Sequence, residues 1–451
     1  MALTPTLAAV RFGTGLSPDI APPRDADELL ARLTGPDEVA ITFPQPGWET
    51  KVATAIEWSE ARRARRDGGK PAEEAYRQVN RRMAEGHASD LGRVIARAAR
   101  TQDGFRERLA WFWADHFTVA DGVAQLRRTV AGYHEEAIRP HLAGRFATLL
   151  EAAVTHPAML VYLDQVRSIG PNSRRAQRGG GLNENLAREV LELHTLGVGG
   201  TYGQVDVREL AELLTGLGIT REGAPLFRPV FAEPGQETVL GRTYGGDPAR
   251  PEHISRVLED LSVHPDTARH VSGKLATHFI ADVPPADLVQ AMTAVWLATG
   301  GDLLPVYRAM LTHPAAMDPE LRKVRRPLEY VAAAARAFGH GAELPNAGIR
   351  TLRDLVFAPL ERMGQPWQGA PGPDGWPEDA GSWITPQALA ARIDWAMTVP
   401  TLLAEQPDPR DFVRIALADL ATPRTLFAAE AAEDRAAGIG LILASPEFQR
   451  R

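Results

Sequence analysis

The sequence predicts an all-α fold: a large multi-helix single domain over residues 1–451, with a small β-hairpin-like insertion and a long ordered loop. Three observations carry this. Ala, Leu, Arg and Glu, all strong helix formers, are abundant along the chain. Apolar residues recur at helical spacing through most of its length. Only two segments, 220–246 and 364–384, break that pattern over any distance.

In chain order, the spacing predicts helices over 26–33, 71–85, 88–101, 105–117, 124–138, 145–155, 184–196 and 205–217. Further helices are predicted over 251–262, 265–280, 286–299, 303–312, 326–338, 352–363, 386–397, 409–420 and 430–444. Many open on Pro or on an acidic or hydroxyl cap. His156-Pro157, His264-Pro265 and His313-Pro314 read as punctuation. The residue before proline is pushed out of the α region, so each His ends a helix and each Pro opens the next. Phe227, Val230, Phe231, Thr238, Val239 and Leu240, set among Gly and Pro, make 220–246 the β insertion. Residues 364–384 hold Trp367, Trp376 and Trp383 among Pro and Gly. They are too apolar for a linker and too broken for a helix, so they predict an ordered covering loop. Residues 61–69 and 168–181 are the expected flexible stretches. The second is rich in Arg and reads as a solvated loop or a lid with an anion contact.

Composition narrows the function without naming it. Hydrophobic residues at 44% and charged residues at 24% supply a core and exclude chain-wide disorder. A net charge of -7 argues against broad nucleic-acid binding. With no cysteine, thiolate nucleophiles, disulfides, zinc–cysteine sites and iron–sulfur clusters are excluded. Any metal would be a divalent ion held by oxygen and nitrogen ligands. No apolar run approaches a membrane span. The opening MALTPTLAAVRFGTG has no basic region before an apolar run, which favours the cytoplasm over export.

Two predicted helices carry the candidate chemistry. In LNENLAREVLELHTLG (182–197), Asn185, Arg188, Glu189 and Glu192 fall within one arc of an α-helix. His194 lies on the opposite, apolar side, about 140° from Glu189 and about 160° from Glu192. One metal therefore cannot be held by this helix alone. In FRERLAWFWADHF (105–117), His116 ends an aromatic stripe of Leu109, Phe112 and Trp113 and reads as a buried, hydrogen-bonded histidine. Arg139 and His141 flank Pro140 at a helix break and could join a polar site. No P-loop, no G-x-S-x-G elbow and no His-Glu-x-x-His is present.

Long motifs give a family resemblance. GLNENLAREVLELHTLGVGGTYGQVDVRELAELLTG (181–216) resembles the core motif of the bacterial DUF1800 family. LAWFWADHFTV (109–119), RPHLAGRFATLLEAAVTHPAMLVYLD (139–164), KVRRPLEYVAAAARAFG (323–339) and MGQPWQGAPGPDGWPEDAGSWI (363–384) follow in the family's order. The resemblance spans nearly the whole chain, and it is why one domain is expected where length alone suggests two or three. It implies a largely helical protein of unassigned activity, often encoded beside DUF1501 proteins and often exported. Family members often carry a His where this chain has Ala232.

Two functions compete at this level. In the first, His116, Arg139, His141, Asn185, Arg188, Glu189, Glu192 and His194 converge on a polar pocket roofed by the Trp loop. Glu189 would be the base or a metal ligand of a hydrolase-like or metal-assisted enzyme, His116 or His194 the acid/base or second ligand, and Arg188 the group that orients the carboxylates. In the second, the chain is a non-catalytic scaffold for a DUF1501-type partner, a sulfatase- or phosphatase-like enzyme, with the three loop tryptophans as interface. A carbohydrate-binding role for the tryptophans has little support, because Trp113 and Trp296 fall in helices and read as core.

Overall fold

The computed structural model describes residues 3–66, 68–121, 126 and 128–451. Its architecture is mainly α, as the periodicity predicts, with strand confined to two small antiparallel hairpins. Apolar side chains gather into two large cores. The first is built around Phe12, Phe105, Trp113, Phe146, Leu186, Leu258, Phe279 and Trp296. The second is built around Ile95, Tyr330, Leu360, Trp395, Phe412 and Ile442.

Three predicted boundaries shift for identifiable reasons. Residues 71–85 and 88–101 are one helix, Gly69–Arg100, because Gly86 and His87 cause no break. The Trp48–Ala64 helix had no counterpart in the sequence reading, and it takes in part of the stretch expected to be flexible. The 124–138 helix is described only from Val130; residues 122–125 and 127 lie outside the described set.

The three His-Pro junctions form as predicted, with an addition. His156, His264 and His313 each place Nδ1 to accept from the amide two residues on, at 3.1, 3.2 and 3.2 Å. The imidazole itself thus does the capping usually given to Ser or Asp. The β insertion is two hairpins, not one. Leu217–Ile219 pairs with Pro225–Phe227, and Gly235–Val239 with Arg242–Gly246.

The Arg-rich stretch 168–181 is tied down. Gly170 and Arg175 donate to the carbonyls of Phe231 and Val230, both at 2.9 Å, and Ile169 donates to Gly181 at 3.0 Å. The Pro/Gly/Trp loop is ordered and ends in a short helix at Ala380–Trp383; Trp367 and Trp376 are half-buried. Trp383 is buried, and its ring lies 5.9 Å from that of Trp376.

Among the described residues, four segments adopt π-helical turns: Ala8–Phe12, His134–Ile138, Val190–His194 and Arg353–Phe357. Such turns are rare and concentrate at functional sites. Two of them carry residues taken up below.

Candidate functional site

The Gly104–His116 helix has two buried faces. Phe105, Leu109, Phe112, Trp113 and His116 enter the first core. Glu107, Trp111 and Asp115, at i, i+4 and i+8, lie on another side and border a cavity of about 140 Å³ at the seam between the two cores. Gln45 and Arg97 close one wall, and His134, Glu135 and Arg139 a second. Arg326, Leu328 and Glu329, at the start of the Pro327–Ala337 helix, form a third. Gln365, Pro366, Trp367, Gln368, Ala370 and Trp376 of the Pro/Gly/Trp loop roof it.

The charges in these walls are bonded to one another. Arg97 holds Glu135 through two bonds of 2.8 and 3.1 Å. Arg139 bridges Asp37 at 2.6 Å and Glu107 at 2.5 Å. Burial alone would lower the Arg139 guanidinium, but these two carboxylates outweigh it and hold it above its ordinary value. Asp115 accepts from Arg326 at 2.7 Å and from the Trp376 amide at 2.9 Å. Burial pushes its carboxyl up, against the pull of Arg326.

Glu329 lies between Arg108 at 3.2 Å and Arg451 at 2.7 Å. Burial would raise it, yet the two guanidiniums hold it far below the usual carboxylate range. Glu378 accepts from His278 at 2.7 Å and Arg326 at 2.6 Å.

His134 differs from these. It sits at the start of a π turn and lines the cavity. Burial pulls it down to about 4, so the imidazole is a neutral base at pH 7.

The roof is strained where it meets the cavity. Gln368 has φ +55, a left-handed conformation costly for a residue with a side chain. Gly375, at φ +81, packs so closely that a Cβ would lie 2.6 Å from Asp115 Oδ1. We therefore expect Gly375→Ala to lose about 1–3 kcal/mol of stability and to free the roof. Urea denaturation reads the first, and a red shift of tryptophan emission the second. Unchanged values of both would contradict this account of the turn.

The residues singled out from the sequence separate into groups. Arg139 alone lines the cavity. His116 and His194 do meet, with ring centroids 6.2 Å apart, and His270 joins them at 6.5 Å from His116. His116 Nε2 lies 3.2 Å from the His194 carbonyl, and the Nδ1 atoms of both rings are buried without a partner. Burial, with Lys274 nearby, holds both imidazoles well below their usual value, His194 at about 3.

The polar arc lies elsewhere. Arg188 bonds Glu192 at 3.1 Å and Glu184 at 3.5 Å, and Asn185 is exposed. Glu189 is half-buried, and its carboxyl is raised by burial, Glu192 and Asp374. His141 is half-buried at the end of the Arg139–His141 turn, lowered by burial. The eight residues therefore do not converge on one pocket.

The wheel geometry also changes. Val190–His194 is a π turn, in which i and i+5 stack. Glu189 and His194 are thus closer in azimuth than the 140° of an α-helix.

Among the described residues, the acidic and imidazole groups close enough to share an ion are Glu209, Glu212 and Glu237, within 4.8 Å of one another. None of them lines the cavity. Burial and the two neighbouring carboxylates push Glu237 up to about 8, so it keeps a proton at neutral pH.

A family model described as a protein of unknown function, DUF1800, matches residues 8–450. The chain belongs to this family. No curated protein and no solved structure matches it. The functional content of this DUF1800 chain therefore rests on its own residues. Glu107, Trp111, Asp115 and His134 are those that sequence reasoning passed over. A signal existed, since two carboxylates and an indole at helical spacing opposite an aromatic stripe make a helix with no solvent side.

Proposed function

We propose that this DUF1800 protein is a hydrolase-like enzyme that holds a small substrate in the roofed cavity, with His134 as the proton-accepting group. The observation that carries the reading is His134 itself: a neutral imidazole lining a roofed cavity whose other charges are already paired. A catalytic base must face its substrate and be deprotonated at working pH. Hydrolysis is the acid–base reaction that needs only water as co-reactant. Water gives its proton to His134 as its oxygen bonds the reacting carbon, and the imidazolium returns that proton to the departing oxygen. Asp115 positions the roof through Trp376 and does not exchange protons. Loop tryptophans that line the cavity or are buried weigh against an exposed docking loop for a DUF1501-type partner.

The test is a panel of chromogenic esters, phosphate esters and glycosides, assayed with the intact protein and with His134→Gln. We expect turnover of one class, reduced about 100-fold or more in the variant at unchanged melting temperature. The rate should stay flat from pH 8 to pH 6.5, where the imidazole is neutral and the fold intact. A variant as fast as the parent, or no turnover of any class, overturns the reading.

A further inference from the structure

The cavity's polar groups divide into two kinds. The first are the charged ones, and every one of them is already ion-paired internally, although Arg326 keeps its Nε buried without a hydrogen-bond partner. Glu107 is bonded to Arg139, Asp115 to Arg326, Glu135 to Arg97, and Glu329 to Arg108 and Arg451. A charged ligand would have to break one of these buried pairs, and the group left behind would be an uncompensated ion. The second kind are neutral and unmet. Gln45 Oε1, Trp367 Nε1 and both Oε1 and Nε2 of Gln368 are buried without any hydrogen-bond partner. Buried polar atoms are nearly always satisfied, and each orphan loses about 1–3 kcal/mol relative to a satisfied one. Here they cluster on one cavity, and one of them sits on the strained residue of its roof.

The orphans are a mixture of donors and acceptors. An amide oxygen, an amide nitrogen, an indole N–H and a second amide oxygen suit a ligand whose groups can both give and take a hydrogen bond. Hydroxyls do both. The same cavity is lined by Trp111, Trp367 and Trp376, whose indoles are largely apolar. A sugar ring combines these two demands: hydroxyls around its edge and a C–H face above and below.

We infer that the cavity of about 140 Å³ binds a neutral carbohydrate, one sugar ring in size, with its hydroxyls bonded by Gln45, Trp367 and Gln368. This rests on the substrate-site reading of the same cavity and names the substrate class. It also reverses the expectation from the sequence. Trp113 and Trp296 are core residues, as expected, but the tryptophans that matter are three others.

The experiment is calorimetric titration and tryptophan-fluorescence quenching of the full chain. The probes are glucose, galactose, N-acetylglucosamine, maltose and cellobiose, set against glucuronate, glucosamine and glucose 6-phosphate. We expect at least one neutral sugar to bind, its charged analogue to bind 10-fold or more weakly, and Gln368→Leu to weaken the neutral sugar 10-fold or more. Trp367→Phe, which removes the indole N–H and keeps an aromatic face, is the second variant and should also weaken it. Circular dichroism of both variants shows whether the fold is kept.

If a charged analogue binds more tightly, and Gln368→Leu abolishes that binding, the carbohydrate class is wrong and the substrate site stands. If nothing binds and Gln368→Leu raises the melting temperature, the orphans are unmet in function as well, and both readings fall.

Discussion

Replacing Glu329 with Gln should destabilise the protein by about 3–5 kcal/mol, the loss expected when one partner of a buried ion cluster is removed. Its carboxylate is 5% exposed, and it is shared by two fully buried guanidiniums, Arg108 and Arg451. The remaining bonds of those guanidiniums go to neutral acceptors. Arg451 donates to the His278 carbonyl at 2.8 Å, and Arg108 contacts His278 Nε2 at 2.9 Å. Burial and the neighbouring Arg451 already pull Arg108 down to about 9 with Glu329 in place. Without the negative charge, the two cations would repel in a dry setting. A stability of 5–15 kcal/mol is typical of a folded domain, so a loss of this size is a large fraction of it. Urea denaturation measures it. Adding Arg451→Met to Glu329→Gln should recover part of the loss, because one of the stranded charges goes with it. A single variant as stable as the parent would show that the cluster is screened by water.

Acid should weaken the fold earlier than carboxylate titration would. His134 and His270 are pulled down to about 4, and His156 and His194 to about 3, each mainly by burial. In the unfolded chain each titrates near 6.5. The folded state keeps these rings neutral while the unfolded state takes up protons, so stability is complete above pH 6.5. It is then lost as pH falls towards the folded values. At pH 5 each ring removes about 2 kcal/mol, from 1.36 kcal/mol per pH unit over about 1.5 units. The melting temperature should therefore fall steadily from pH 6.5 to pH 5, a range in which Glu329 and Glu378 stay ionised. His194→Phe should flatten that slope by one ring's share. A melting temperature constant from pH 7 to pH 5.5 would show that the imidazoles reach water in the fold.

What could be read from the sequence follows from the range of each interaction. Helix-forming stretches and the His-Pro starts are local, and they were legible. The Trp48–Ala64 helix carries a weaker signal: Trp48, Val52, Ala55 and Trp58 recur at helical spacing, but charged residues between them blur the stripe. The candidate site was mostly hidden. Glu107 and Asp115 carry no local mark of burial, because charged residues at helical spacing usually face solvent. Their burial depends on Arg139 and Arg326, about 30 and 210 residues further along the chain. The π turns were invisible for a related reason. A shift of hydrogen-bond partner by one residue is set by packing, and no composition marks it. His116 and His194 are buried, as their apolar faces imply, whereas the π turn draws Glu189 nearer to His194 than α-helical spacing would. The convergence of all eight residues on one pocket was the step that the fold did not make.

The position of Arg451 has a consequence for how the chain is made. Its side chain is fully buried, and its backbone pairs with Lys323 in both directions, at 3.2 and 2.9 Å. Arg108, His278 and Glu329 are all synthesised before it. At the usual 5–20 residues per second, Arg108 leaves the ribosome roughly 20–70 s before Arg451 can reach it. For the last part of that interval, about 6–24 s between the synthesis of Glu329 and that of Arg451, the Glu329 carboxylate lacks one of its two cations and the central ion cluster cannot close. Arg451 is thus a late-made latch on residues synthesised long before it, and the cluster at the centre stays incomplete until it arrives.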